Sequence, residues 1–269
     1  MSAQKASRRH LLKSLWLSLL ILTGIGGVAL LQVSQLQNLK NQAKVSSPEQ
    51  LARSLEAEKL RLDLLEKIPA FGFDNLLADW VFLNFIQYFG DTDARNQTNY
   101  QLGLDYFDVI VDRDPRFRQI YLFLSVTGSI YAAMPERSIA LMEKGLATKS
   151  LKILPRTHYI WRYKAIDELL FLGDNAAAIQ SFKKAAEWAS IFADEDSQRT
   201  AESSRETVKF LESKPDTQCT QITGWTMALQ SAPDDLTRDI AISNIQQRGG
   251  KLIQTPEGGF SVKLPEKCF

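Results

Sequence analysis

Few side chains of this sequence have the type and spacing that enzyme chemistry requires. The chain contains two histidines, His10 and His158, and His158 lies in the stretch RTHYIWRY, where an imidazole is more often structural than catalytic. Asp79, in the apolar stretch LLADWVFL, more commonly pairs with an arginine or caps a helix than acts as an acid or base. The sequence has no phosphate-binding loop, nucleophile elbow or HExxH motif. We therefore expect no catalysis, no cofactor and no metal site; a cell-envelope hydrolase that uses Asp79 is a distant alternative.

The two cysteines, Cys219 and Cys268, both lie in the C-terminal part of the chain. Two sulfurs without a neighbouring histidine are too few for a structural zinc site. A disulfide is the simplest interpretation, since closing a span of 268 − 219 = 49 residues would stabilise the fold by about 4 kcal/mol in the chain-entropy treatment. Two unpaired buried thiols are the alternative.

Charge is distributed unevenly along the chain. The sequence has 32 basic and 31 acidic residues, but six of the basic ones precede the first acid, Glu49, so the rest of the chain carries 26 − 31 = −5. Such a body lacks the electropositive surface that nucleic acid requires, and we expect no nucleic-acid partner. The six early basic residues are Lys5, Arg8, Arg9, Lys13, Lys40 and Lys44.

Residues 15–33, LWLSLLILTGIGGVALLQV, contain no charged side chain. A helix of this length, at ~1.5 Å per residue, approaches the ~30 Å thickness of bilayer hydrocarbon, which predicts a transmembrane anchor. Because four basic residues precede the stretch, the positive-inside rule places residues 1–14 in the cytoplasm and the main domain on the other side of the membrane. A cleaved secretory signal is the alternative, although the stretch offers no good Ala-x-Ala site.

The stretch SRRHLLK, which contains Arg8 and Arg9, resembles the twin-arginine export signal. That resemblance implies export of an already folded domain. The stretch GFDNLLADWVFLNFIQYFGD is similar to uncharacterised membrane-anchored proteins of cyanobacteria. The expected location of the main domain is therefore the periplasm, or the thylakoid lumen if the source is a cyanobacterium.

Beyond the anchor the sequence predicts an all-α fold with a small C-terminal appendage. Residues 34–70 predict a linker and then an amphipathic helix that begins at Pro48; the helix either packs on the main domain or forms a coiled coil with a partner. Residues 71–213 predict further helices, punctuated by proline and glycine and without period-two alternation. Residues 214–269 predict two short helices and a β-hairpin.

Small and large residues recur at equal offsets in three of the predicted helices. Each set begins with a small residue, continues with a large one four positions later and ends three positions after that. The starting residues Gly103, Ser138 and Ala178 are 138 − 103 = 35 and 178 − 138 = 40 positions apart, which is near the length of a helical-hairpin repeat. An irregular helical bundle is the alternative. The sets are Gly103, Phe107 and Ile110; Ser138, Met142 and Gly145; and Ala178, Phe182 and Ala185.

These sets, with LGD at 172–174 and DPRF at 114–117, resemble the tetratricopeptide repeat family. The third repeat matches its pattern best, whereas the second has Met134-Pro135 where Gly-Asp is usual, and TDARNQTN lengthens the first turn. The resemblance implies that residues 71–213 form a solenoid of three stacked helical hairpins with a capping helix.

In this family the first helices of the hairpins line a groove that receives a segment of a partner. The resemblance therefore implies an aromatic groove that suits an apolar protein segment, in a scaffold or assembly factor for a membrane complex. An accessory structural subunit is the alternative, and the groove could instead be filled by the protein's own N-terminal helix or C-terminal hairpin. The expected groove residues are Phe85, Tyr88, Phe123, Thr127, Tyr131, Tyr163 and Asp167.

Overall fold

A computed structural model describes residues 48–98, 100–213, 216–254 and 260–268, with single positions between 16 and 33. The chain divides into two units, Met1–Ser54 and Leu55–Phe269. Arg8, Arg9 and most of the predicted anchor lie outside the described residues, and the anchor positions that are described are helical. Within the described part of the chain, no helix combines the length and the hydropathy that a membrane crossing needs. The anchor and the export signal therefore remain predictions.

The described chain is mostly helical, as predicted. Two π-helical segments, Val126–Tyr131 and Glu168–Leu172, continue the α-helices that end at Ser125 and Asp167. Short 3₁₀ turns lie at Lys149–Ile153 and Glu266–Cys268. The helices are α1 (Pro48–Lys67), α2 (Asp74–Gly90), α3 (Thr92–Thr98), α4 (Gln101–Arg113), α5 (Ile120–Ser125), α6 (Pro135–Leu146), α7 (His158–Asp167), α8 (Asn175–Ala189), α9 (Glu195–Glu212), α10 (Gln218–Gln230) and α11 (Asp235–Gln247).

The C-terminal appendage is a β-hairpin held by a disulfide. Strand β1 (Lys251–Gln254) pairs antiparallel with β2 (Phe260–Lys263), so the predicted hairpin is confirmed. Cys219 on α10 and Cys268 after β2 are bonded at an S–S distance of 1.99 Å, which confirms the predicted disulfide. The bond therefore ties the end of the chain to α10.

Helices that are close in sequence pack against each other in pairs, the first of which is separated by the short α3. α2 contacts α4, α5 contacts α6, α7 contacts α8 and α10 contacts α11. Contacts also join the pairs: α4 packs on α6, α5 on α7, and α9 on α8. A series of helical hairpins therefore lies side by side along the chain.

Small side chains lie where these helices meet. A Cβ added to Gly103 would lie 2.9 Å from Cγ2 of Thr127, and one added to Gly145 would overlap the Tyr121 hydroxyl oxygen. Ser138 and Ala178 have no exposed surface. Larger side chains at these positions would push neighbouring helices apart.

Three apolar cores follow each other along the chain. Leu62 of α1 is 2% exposed and belongs to the first core, so the amphipathic helix packs on the main domain through its later turns. The first core contains Phe85, Phe107, Tyr121, Leu124 and Met142; the second contains Ala165, Ala178, Phe182, Val208 and Leu211; the third contains Phe171, Ile222, Trp225, Ala241 and Ile245.

Candidate protein-binding surface

The seven expected groove residues do not form one open surface. Phe85, Tyr88, Thr127 and Asp167 are buried, Tyr131 and Tyr163 are half-buried, and Phe123 is 40% exposed. A buried side chain offers no area to a partner, which corrects the expected groove for the first four residues. Of the seven, Phe123 presents the most open ring.

The assignment of Phe85 and Tyr88 to the groove was wrong because α2 is apolar on most of its sides. The Phe85 ring lies 4.6 Å from that of Phe107 on α4, inside the first core. Tyr88 donates or accepts a hydrogen bond with Thr98 at 2.6 Å, and burial raises the pKa of its phenol to about 12. Both residues therefore stabilise the first hairpin.

The chain's own C-terminal helices cover the end of the expected groove near the two π-helical segments. Ile130 and Phe171, one from each segment, pack into the third core, where the Phe171 ring meets that of Trp225 on α10 at 4.9 Å. The covering elements are helices α10 and α11, whereas the alternative named the N-terminal helix or the C-terminal hairpin.

A buried polar cluster holds α11 against the first hairpin. The Tyr100 hydroxyl donates to the carboxylate of Asp234 and accepts from Nε of Arg95 at 3.2 Å. The Tyr131 ring stacks on that of Tyr100 at 5.3 Å. Burial opposes ionisation of Asp234, but hydrogen bonds from Tyr100 and Thr237 and the charge of Arg95 outweigh it and lower the pKa of that carboxyl. Tyr131, an expected groove residue, therefore belongs to this structural cluster. We call Arg95, Tyr100, Tyr131 and Asp234 the latch.

Asp167 is the centre of a second buried cluster. Its carboxylate accepts hydrogen bonds from Ser125 and Ser129, both at 2.7 Å, and from Ser138 at 3.3 Å. Burial raises the pKa of Asp167 to about 7, although these hydrogen bonds act in the opposite direction. These bonds join the second hairpin to the third. Because Asp167 has no exposed surface, a substrate cannot reach its carboxylate.

His158 and Asp79, the two residues considered for catalysis, lie in different surroundings. His158 is fully buried, and neither ring nitrogen has a hydrogen-bond partner among the described residues. Burial lowers the pKa of His158 against the opposing effect of Asp196 and Asp194, and so favours the neutral ring. Asp79 is exposed on α2 and lies within salt-bridge distance of no basic side chain that the structure describes. Within the described ranges, no three metal-ligating side chains come together.

Four large apolar side chains remain open on the first helices of the first two hairpins. They are exposed by 61% at Leu83, 42% at Ile86, 47% at Leu122 and 40% at Phe123. The half-buried Phe82 connects the two helices, since its ring lies 5.4 Å from that of Phe123. We call Leu83, Ile86, Leu122 and Phe123 the first-helix face.

Sequence reasoning missed three of these four residues. Leu83 and Ile86 flank Phe85 on α2, and Leu122 precedes Phe123 on α5. Since nearly every position of α2 is apolar, the helical period alone does not select which side faces solvent. The exposed Asp79 was the available signal, because residues at i, i+4 and i+7 share a side, which places Asp79, Leu83 and Ile86 together.

Comparison of the chain with protein-family models, with curated proteins and with solved structures finds no match. Function is therefore inferred from the surfaces of the chain itself.

Proposed function

We propose that the protein is a non-catalytic, membrane-anchored scaffold or assembly factor whose hairpins, similar to tetratricopeptide repeats, bind an apolar segment of a protein partner. The first-helix face carries this proposal. Its four side chains are 40% to 61% exposed and lie on two neighbouring helices. Grouped exposure of large apolar side chains is typical of interaction sites, because leaving them in water costs free energy.

The charge beside this face indicates the chemistry of the partner. Asp79 lies on the same side of α2 as Leu83 and Ile86 and has no basic neighbour within salt-bridge distance among the described residues. A partner that covered the first-helix face would place its own side chains close to the Asp79 carboxylate. A helix with an apolar stripe and one lysine or arginine opposite Asp79 fits best, since a buried carboxylate without a cation is costly.

The predicted anchor supports a partner in the same membrane. A tethered domain meets proteins of its own membrane at high effective concentration, so a modest surface is sufficient for binding. A resident accessory subunit would use the same surface. It differs from an assembly factor in its fixed stoichiometry within the mature complex.

The proposal is tested by affinity purification of the full chain from gently solubilised membranes. The double variant Ile86→Ala, Phe123→Ala should reduce recovery of the partner, because loss of two central apolar contacts costs about 2 kcal/mol or more, or roughly 30-fold in affinity. Ile153→Ala is the matched control, since Ile153 is 72% exposed on a 3₁₀ turn that is not part of α2 or α5. Equal recovery with both variants would contradict the proposal.

Asp79→Asn separates binding from catalysis. A scaffold that pairs Asp79 with a partner cation should bind more weakly after the change and lose the salt dependence of that contact. An enzyme that uses Asp79 would instead lose turnover while its binding of partners stayed unchanged.

A further inference from the structure

The turn between α1 and α2 is apolar and strongly exposed. Residues 68–73, IPAFGF, contain no charged side chain. Loops usually carry polar residues because they face water, so this composition is unusual. We call the exposed apolar side chains here the hairpin tip; they are Leu64 (62% exposed), Ile68 (43%), Phe71 (86%), Phe73 (65%) and Leu76 (62%).

Several backbone groups of the hairpin tip are already bonded. Arg113 of α4 donates to the carbonyl oxygens of Glu66 at 2.9 Å and Ile68 at 2.6 Å, and to the carboxylate of Asp74 at 3.1 Å. The amide of Phe73 donates to the carbonyl of Ala70 at 2.8 Å. Helix-end carbonyls normally depend on water. Since Arg113 replaces that water, the tip is able to enter a medium of low polarity without losing those bonds.

A tryptophan and an arginine lie behind the hairpin tip. The Arg61 guanidinium is 4.9 Å from the centre of the Trp80 ring. Arg61 precedes the end of α1 by 67 − 61 = 6 residues, and Trp80 follows the start of α2 by 80 − 74 = 6 residues, so both lie ~9 Å from the turn along their helices. Tryptophan and arginine are residues that settle at the membrane interface.

We propose that the hairpin tip inserts into the interfacial layer of the lipid bilayer, with Trp80 and Arg61 at the level of the headgroups. A depth of ~9 Å agrees with the ~5–10 Å that interfacial apolar surfaces reach. Lipid suits a projecting turn better than a protein groove does, because acyl chains adapt to its shape. The predicted anchor at residues 15–33 would attach the chain to the same bilayer.

This contact would orient the domain on the membrane and so present the first-helix face to partners in it. The proposal shares the predicted anchor with the proposed function but does not depend on the partner. Glu66 and Lys67, the last two residues of α1, give the tip one charge of each sign. Insertion is therefore driven by apolar area and needs no anionic lipid.

The test uses the full chain in phosphatidylcholine vesicles that hold no other protein. Phe71→Cys is labelled with an environment-sensitive fluorophore, and Ile153→Cys is the matched exposed control; the native cysteines are bonded to each other and stay unlabelled. The label at 71 should emit at shorter wavelength, escape quenching by aqueous iodide and be quenched by nitroxides near the lipid headgroups, in low and in high salt. The label at 153 should emit at longer wavelength, be quenched by iodide and escape quenching by the nitroxides.

A second variant shows whether protection depends on the apolar surface. Phe73→Asp, added to the labelled Phe71→Cys chain, should restore iodide quenching at residue 71. Its unfolding midpoint should not fall, because Phe73 is exposed and outside the core, and aspartate is a favoured N-cap residue at the start of α2. Ile153→Asp, added to the same labelled chain, should change neither the iodide quenching at residue 71 nor the unfolding midpoint.

Several outcomes would overturn the proposal. Two of them are equal iodide quenching at residues 71 and 153, and failure of the chain to float with the vesicles. A third is protection of the label at 71 that disappears when the protein is diluted in lipid, because that result would assign a second copy of the chain to the tip. Protection seen in native membranes but not in pure lipid would assign a protein partner and also overturn it. Because these vesicles hold no partner, none of these results bears on the first-helix face.

Discussion

Replacement of Asp167 by asparagine should remove a large part of the pH dependence of folding. Burial raises the pKa of this carboxyl from 3.8 to about 7, a difference of about 3 pH units. At ~1.36 kcal/mol per unit, the group changes the free energy of unfolding by about 4 kcal/mol. The native state holds the proton between pH 4 and 7 whereas the unfolded state has lost it. The stability is therefore fully present below pH 4 and is lost as the pH rises to 7.

Asparagine keeps the shape of Asp167 but carries no charge. Its amide can still bond the hydroxyls of Ser125 and Ser129, which now lie 2.7 Å from the carboxylate. Above pH 7 the variant should therefore be at least as stable as the native chain, because no buried charge has to be accommodated. Asp167→Ala, in contrast, should lose about 2–4 kcal/mol at every pH, since it leaves serine hydroxyls without an acceptor.

Urea unfolding of the full chain in a mild detergent, followed by near-ultraviolet circular dichroism from pH 4 to pH 8, measures this effect. The quantity to compare is the difference in unfolding free energy between Asp167→Asn and the native chain. His158 and other titrating groups are common to both chains and cancel in that difference. A difference that stayed constant over this range would refute the assignment of a strongly raised pKa to Asp167.

Three further changes test the packing of the helices and of the appendage. Gly145→Ala should destabilise the fold by about 1–3 kcal/mol in urea unfolding, because the new methyl group overlaps the Tyr121 hydroxyl; an unchanged midpoint would show that the helices have room to separate. Cys219→Ser with Cys268→Ser should lower stability by up to about 4 kcal/mol and increase proteolysis after residue 213; the effect should be absent when the native chain is already reduced. Asp234→Ala should cost about 2–4 kcal/mol, since it removes a helix cap and a buried hydrogen-bond acceptor. Amide hydrogen exchange of the Asp234→Ala variant should become faster in α11 and stay unchanged in α8.

Local signals in the sequence predicted the elements well. Pro48 begins α1, a glycine ends α2, and the residues around Gly258 separate two short strands as expected. The disulfide followed from the presence of two cysteines in an expected exported domain. The small residues Gly103 and Ser138 marked positions where helices meet. Each of these signals acts within a few residues or requires only one pairing.

The surfaces were harder to predict because they depend on long-range packing. The latch joins Tyr100 to Asp234 across 134 residues, and no local pattern shows that α11 will cover the π-helical segments. The π turn at Val126–Tyr131 changes the side that Tyr131 faces relative to Phe123, so groove positions counted through it with an α-helical period are misplaced. Residues Thr92–Thr98 of the stretch TDARNQTN, which was expected as a long turn, form the helix α3.

The most direct test of the proposed function is site-specific photo-crosslinking in intact membranes. A photoreactive residue at Phe123, which is 40% exposed on the first-helix face, is compared with one at Ile153, which is 72% exposed elsewhere. We predict a discrete adduct from position 123 with a helix of another membrane protein, and its loss when Ile86→Ala is added. Adducts of equal yield from both positions, or none from position 123, would contradict a partner-binding role for the first-helix face.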